Sequence, residues 1–117
     1  MYSEMKGKTA LITGAGKETG IGYTIAKRLA DEGVTVVISD VCKDIGADNY
    51  ARIGTKEELE SLAKKINGHC VVIDVTDEGT IAAAAAYITD TFGRLDYLIN
   101  NAGASPSPQY LQYMDLA

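Results

Sequence analysis

Residues 13–22, Thr13-Gly14-Ala15-Gly16-Lys17-Glu18-Thr19-Gly20-Ile21-Gly22, stand between the apolar run Ala10-Leu11-Ile12 and a segment with helical hydrophobic spacing. Four glycines in these ten residues ask what must come close to the main chain there. Glycine turns tightly and carries no Cβ to fend off a neighbour. A strand that runs through such a loop into a helix opens a βαβ unit, so this stretch decides how the rest of the chain is read.

Working outward, residues 8–13 form a short apolar strand ending at the glycines. Ile21, Ile25, Ala26, Leu29 and Ala30 then recur at helical spacing, with Lys27, Arg28, Asp31 and Glu32 on the opposite face. Gly33 is placed to terminate this helix in the left-handed cap. Thr35-Val36-Val37-Ile38-Ser39-Asp40 is β-branched and almost wholly apolar, as a strand covered on both faces should be. Residues 41–54 read as an irregular surface loop. Thr55 and Glu58 have the spacing of a capping box, followed by a stripe of Leu59, Leu62, Ala63 and Ile66 and a stop at Gly68. Residues 70–74 give a third strand. Thr76 is placed to cap a helix to about Phe92, with Ile81, Ala84, Ala85 and Ile88 inward and Gly93 as its stop, and residues 95–99 give a fourth strand.

The order β-α-β-α-β-α-β, without repeats or low-complexity segments, demands a parallel sheet, and right-handed crossovers make it a doubly wound α/β fold. The tail, residues 104–117, has no clear assignment, and its two prolines suggest an extended exit from the sheet.

In a doubly wound sheet, ligands bind beyond the carboxyl ends of the strands, and the first strand-to-helix turn takes the phosphates. Amides at that helix start lie at the positive end of the helix dipole. A merely flexible turn would also hold glycines, so the other strand ends must be weighed. Asp40 closes the second strand 18 residues beyond Gly22, where a carboxylate can accept ribose hydroxyls or simply end a strand in solvent. Asp74 closes the third, although Thr76 and Asp77 suit a helix start without any ligand. Asn100-Asn101-Ala102-Gly103 closes the fourth, where asparagines also serve as turn formers. One binding crevice explains four polar or glycine-rich strand ends better than four independent turns do.

The bulk numbers narrow the classes. A net charge of -5 and a pI near 4.7 disfavour nucleic acid and anionic membrane as partners, because phosphates would be repelled. No apolar run approaches the roughly 20 residues of a membrane span, and residues 1–6 have no secretory core, which points to the cytoplasm. Cys42 and Cys70 are too few and too far apart for a zinc motif or a disulfide framework, and both read as reduced packing residues.

These residues carry a resemblance. Over about residues 5–103 the chain resembles the N-terminal half of a short-chain dehydrogenase/reductase, a Rossmann-type fold. Thr13-Gly14-Ala15-Gly16 with Gly20-Ile21-Gly22 is similar to the family's glycine loop, Asp74-Val75 to its adenine-contacting pair, and Asn100-Asn101-Ala102-Gly103 to the stretch that steadies the central sheet and lines the cofactor. The resemblance implies that Gly14, Gly16, Lys17, Thr19, Gly20, Ile21 and Gly22 border the cofactor, with Asn101, Ala102 and Gly103 near its inner ribose. Asp40 implies NAD rather than NADP, since a carboxylate there repels a 2′-phosphate, while Lys17 keeps NADP open because a basic loop residue can serve that phosphate. The implied activity is interconversion of a carbonyl and an alcohol by hydride transfer to or from a small-molecule substrate, in the manner of 3-ketoacyl reductases, and the implied assembly is a dimer or tetramer.

Two departures bear on the branch. Five residues separate Gly14 from Gly20 where the common pattern has three. That longer loop aligns without a gap to enoyl-thioester reductases, which have a Ser-Ile-Ala-Tyr-like run in place of Gly20-Ile21-Gly22-Tyr23. The asparagine stretch and Asp40 favour the ketone/alcohol branch. The second departure is the long connection 41–54, either a cover for the adenosine end or an idle insertion.

Family members take their proton from a Tyr-x-x-x-Lys pair assisted by a serine, and the resemblance places these after residue 117. Tyr2 and Lys6 have the spacing but precede the first strand; Tyr110 and Tyr113 have no lysine four residues on, Ser105 and Ser107 have no histidine partner, and His69 opens a strand away from the crevice. The expectation is therefore one NAD(P)-binding domain over residues 1–117, incomplete at its C-terminus, with cofactor residues but no catalytic ones. A non-catalytic nucleotide-binding module stands as the alternative, and a methyltransferase-like fold as a third that leaves the asparagine stretch unexplained.

Overall fold

The computed structural model describes residues 3–41 and 55–101. After a short 3-10 turn at Ser3–Met5 come β1 (Thr9–Ile12), α1 (Ile21–Asp31), β2 (Thr35–Asp40), α2 (Lys56–Lys65), β3 (His69–Val72), α3 (Glu78–Phe92) and β4 (Tyr97–Ile99). The strands form one sheet in the order β3-β2-β1-β4. Every pairing is parallel: Leu11 lies beside Val37 on one side and Leu98 on the other, and Ile38 beside Cys70. This is the doubly wound, Rossmann-type arrangement the element order demands. All four strands consequently deliver their carboxyl ends to one rim.

Alternation along the strands divides the core. Ala10, Ile12, Val36 and Ile38 face one way and pack with Tyr23 and Ala26 of α1 and Leu59, Leu62 and Ala63 of α2. Leu11 and Val37 face the other way, against Ile73, Ala84 and Ile88. The central strands are thus apolar on both faces because helices cover both.

The helix faces differ from their sequence pattern at several points. Ile21, expected inward, is 74% exposed, and Tyr23 occupies the core instead. Ile21 is the first residue of α1. Tyr23 is buried because its hydroxyl donates to Leu62 O at 2.9 Å, which satisfies its polar end while the ring joins α1 to α2. Burial pushes the Tyr23 hydroxyl pKa up. Glu32, expected on the solvent face, is 4% exposed and pairs with Arg28 at 2.9 Å. In α3 only Ala84 and Ile88 are buried; Ile81 and Ala85 line an open cleft instead.

Helix ends follow their capping chemistry with two corrections. Thr55 Oγ1 accepts from the Glu58 amide at 3.1 Å, and Gly33 and Gly93 take positive φ as expected. The helix after β3 is capped by Asp77, which accepts from the Gly79 amide, rather than by Thr76. The α2 stop is Asn67, with φ of 52°, rather than Gly68. Asparagine tolerates the left-handed region. Gly68 is needed for space, since a Cβ there would lie 2.9 Å from Val36 O. Strand β3 ends at Val72, leaving Asp74 in the turn beyond it. The expected surface loop at 42–54, Cys42 and the tail lie outside the described residues.

At the lower edge of the sheet, Asp96 fastens β1 to β4. Its Oδ2 accepts from the Thr9 amide at 2.8 Å and its Oδ1 from Arg94 Nε at 2.9 Å. The Arg94 guanidinium and then the Thr9 amide hold the Asp96 carboxyl below the usual carboxylate range.

Two predictions follow from these contacts. Tyr23→Phe leaves Leu62 O without its donor and should lower unfolding free energy in urea by about 1 kcal/mol; Ile38→Ala, in the centre of the sheet, should cost about 2–5 kcal/mol. Because the Asp96 pKa is lower folded than unfolded, its contribution is present above the unfolded carboxylate pKa of roughly 3.9 and is lost as pH falls through the folded value. Stability should therefore decline on acidification below about pH 5, and Asp96→Asn should flatten that decline in a pH series of urea midpoints. Some decline should persist, because Lys65 also lowers the Glu18 pKa.

Candidate functional site

The rim takes its shape from the turn after β1. The Thr13 amide donates to Ile99 O at 3.1 Å, continuing the ladder with β4, and Gly14 then turns the chain with φ of +68°. The next two amides reach back to the end of β2: Ala15 N–H to Ser39 O and Gly16 N–H to Asp40 Oδ2, both at 2.8 Å. The turn 17–20 closes through the Gly20 amide on Lys17 O at 3.0 Å. Gly20 then caps α1 without a side chain to offer the first-turn amides, and that turn holds no acidic residue. The positive end of the helix dipole is left facing the rim, an arrangement that receives anions.

Asn101 ties three elements together from the end of β4. Its Nδ2 donates to Gly14 O at 3.2 Å and its amide to Thr13 Oγ1 at 3.0 Å. Gly22 makes room for that side chain: a Cβ at this position would lie 2.6 Å from Asn101 Nδ2 and 3.0 Å from Gly14 O. The contribution of Thr13 was not assigned from the sequence, although its hydroxyl next to a glycine at a strand end was the available signal.

Asp40 lies at the end of β2, as expected, but its carboxylate is turned inward on the loop. Oδ2 accepts from Gly16 and Oδ1 from the Val41 amide at 2.7 Å. Asp74 lies beyond β3, with Oδ1 accepting from the Thr76 amide at 2.9 Å and the Thr76 hydroxyl at 2.6 Å. Val75 is 53% exposed, like Ile21 an apolar side chain open to the rim. Gly14, Gly16, Gly22, Asp40 and Asn101 are therefore brought together, whereas Asp74 and Val75 follow β3, and Val75 lines a cleft it shares with Thr13, Leu98 and Asn100. From β3 to β4 the rim spans three strand spacings, about 14 Å. Ala102 and Gly103 lie outside the described residues.

Lys17 and Thr19 are exposed on the outer side of the loop. Between them and α2 is a cleft of about 420 Å³ whose lining includes Lys17, Glu18, Glu58 and Lys65. Glu18 Oε2 accepts from Lys65 Nζ at 2.7 Å, so the longer loop is tied to α2. That hydrogen bond is the main cause of a lowered Glu18 pKa and a raised Lys65 pKa. With two lysines balanced by two glutamates, this cleft has no excess charge with which to hold an anion.

Comparison with known proteins settles what this rim belongs to. A protein-family model described as enoyl-(acyl carrier protein) reductase matches residues 14–116. The chain belongs to the short-chain dehydrogenase/reductase family. Among its relatives in that family, (-)-isopiperitenone reductase of Mentha piperita is 40% identical over 96 residues, covering 82% of this chain and 29% of that protein. A 12alpha-hydroxysteroid dehydrogenase of a Clostridium species is 40% identical over 105 residues, covering 86% and 38%. The crystal structure of carveol dehydrogenase from Mycobacterium avium in complex with NAD superposes with a TM-score of 0.79 at 29% identity, covering 98% of this chain and 42% of that one. The chain thus spans about a third of the length of these curated family members.

The Gly22–Asn101 contact gives a prediction. Gly22→Ala should lower unfolding free energy by about 1–3 kcal/mol, as overpacking does. In an Asn101→Ala background the same substitution should cost less, because the 2.6 Å clash is gone; a double-mutant cycle of urea unfolding reads the difference.

Proposed function

We propose that this chain is the cofactor-binding part of an NAD-dependent oxidoreductase that interconverts a carbonyl and an alcohol on a small molecule. The observation that carries this reading is the junction of the uncapped α1 start with the Asp40 carboxylate at one rim, because a diphosphate and a ribose need an anion-receiving helix end beside a hydroxyl acceptor. Bound NAD is also the state of the Mycobacterium avium neighbour. In this reading Gly14, Gly16, Lys17, Thr19, Gly20, Ile21 and Gly22 border the diphosphate, Asp40 accepts ribose hydroxyls on the lone pairs its two amide partners leave, and Asp74 with Val75 meets the adenine. Asn101, Ala102 and Gly103 lie toward the inner ribose.

The group fits the residues present. The α1 amides take negative charge without a competing carboxylate in the first turn, and exposed Ile21 and Val75 offer apolar surface to flat rings. When bound, the nicotinamide supplies hydride donation or acceptance. The protein's own part, on the described residues, is to bind and orient; proton transfer is assigned to none of them. We favour NAD over NADP because the Asp40 carboxylate would repel a 2′-phosphate, which Lys17 in the glycine loop would otherwise attract. Location in the cytoplasm and assembly as a dimer or tetramer belong to the same proposal. Among the described residues no helix is long and apolar enough to cross a membrane.

A second reading, an enoyl-thioester reductase, is favoured by the description of the matching family model and by the five-residue glycine loop. The same site would then deliver hydride to a carbon–carbon double bond. Titration of the full-length protein with NADH and NADPH by fluorescence tests the common ground: NADH should bind with at least about tenfold higher affinity, the order expected when a carboxylate meets a phosphate at close range. Binding of neither nucleotide would refute both readings. Oxidation of NADH by a ketone panel but not by enoyl thioesters would select the first, and the reverse outcome the second.

A further inference from the structure

Asp40 is held from every side. Its main-chain carbonyl accepts from the Ile73 amide at 3.1 Å, which fixes its backbone against β3. Both carboxylate oxygens are engaged by amides, Oδ1 by Val41 at 2.7 Å and Oδ2 by Gly16 at 2.8 Å. A side chain so placed cannot swing away from the loop without giving up both hydrogen bonds. Its contact with Gly16 is close enough that a Cβ on Gly16 would lie 2.5 Å from Oδ2 and 2.8 Å from Asp40 Cβ. The Ala15 amide, donating to Ser39 O, also ties the loop to β2.

We propose that Asp40 is a positioning residue for the glycine loop: through the Gly16 amide it holds the loop in its diphosphate-receiving shape before any nucleotide arrives. This rests on the nicotinamide-dinucleotide reading and adds to it. If Asp40 only met the ribose, removing its charge would weaken NAD and relieve NADP of a repulsion. As the clasp of the loop it serves the diphosphate, which both nucleotides share. Selectivity and loop closure are then one interaction, and discarding the carboxylate costs both nucleotides.

The test has two parts, made on the full-length protein. Amide hydrogen exchange is measured without nucleotide in the wild type and in Asp40→Ala. The Gly16 amide should exchange about tenfold or more faster in the variant, the range for a lost hydrogen bond to a charged group, while Leu11 and Val37 in the sheet core keep their wild-type rates. NADH and NADPH are then titrated against both proteins, and both should weaken, NADH by about tenfold or more and NADPH by less, because NADPH is at the same time relieved of the carboxylate's repulsion. Gly16→Ala provides a second variant in which the charge is retained while the added Cβ displaces the Asp40 carboxylate from the Gly16 amide; that amide should exchange faster there too, and both nucleotides should weaken. Unchanged exchange at Gly16 in Asp40→Ala, tighter NADPH binding by that variant, or wild-type nucleotide affinity in Gly16→Ala would each overturn the proposal. The exchange result judges the clasp itself, whereas a wild type that binds neither nucleotide would bring down the cofactor reading on which its role depends.

Discussion

The rim depends on a missing atom. At Gly22 the first turn of α1 passes so close to the end of β1 that a Cβ would stand 2.6 Å from Asn101 Nδ2. Because it is absent, the asparagine reaches Gly14 O at 3.2 Å and its amide reaches the Thr13 hydroxyl. One side chain from β4 thereby fixes the turn after β1 and, through that turn, the direction in which α1 leaves the sheet. The orientation of a helix dipole is useful to a ligand only if the helix cannot pivot, so the contact at Gly22 precedes the electrostatics in any physical account of the site.

For an acidic chain to receive the proposed diphosphate, something other than net charge must act. The formal charge of -5 repels anions at long range, but that field is screened within a Debye length of about 8–10 Å in physiological salt. At the rim the relevant charges are local: main-chain amides of α1 with no carboxylate in the first turn, and Lys17 outside the loop. Two acids of the described residues are already committed, Asp40 to two amides and Glu18 to Lys65. Committed carboxylates present less repulsion to an incoming phosphate than free ones, because part of their charge is answered by donors at about 2.8 Å.

Much of this was legible in the residues. The order of the strands was legible because β-branched runs such as 35–40 are covered on both faces, and the glycine loop was legible as the turn from β1 into α1 because strand, loop and helix follow in order; the third and fourth strands are His69–Val72 and Tyr97–Ile99 rather than 70–74 and 95–99. Gly33 and Gly93 marked helix ends for a local reason, their freedom at positive φ. What could not be read depended on partners distant in sequence. Tyr23 enters the core because Leu62 supplies an acceptor 39 residues away. Asp40 was visible as an acid at a strand end, but its grip on Gly16 was not, since the two are 24 residues apart and meet only when β1 and β2 pair in register. The choice of Asp77 over Thr76 as cap came down to one residue, within the ordinary uncertainty of helix ends.

The two faces of the sheet are not equally finished, and the site lies where the packing is better. On the α1/α2 side, eleven buried residues from four elements and the turns between them interlock around Tyr23. On the α3 side the buried cluster has five residues among those described. There an apolar cleft of about 300 Å³ opens between α3 and β4, lined by residues that include Val75, Ile81, Ala85 and Leu98, the last 55% exposed. Positional precision at a binding site comes from side chains that cannot repack, and such side chains are found in dense cores rather than beside open clefts. The glycine loop, α1 and the Asp40 strand end all rest on the dense side.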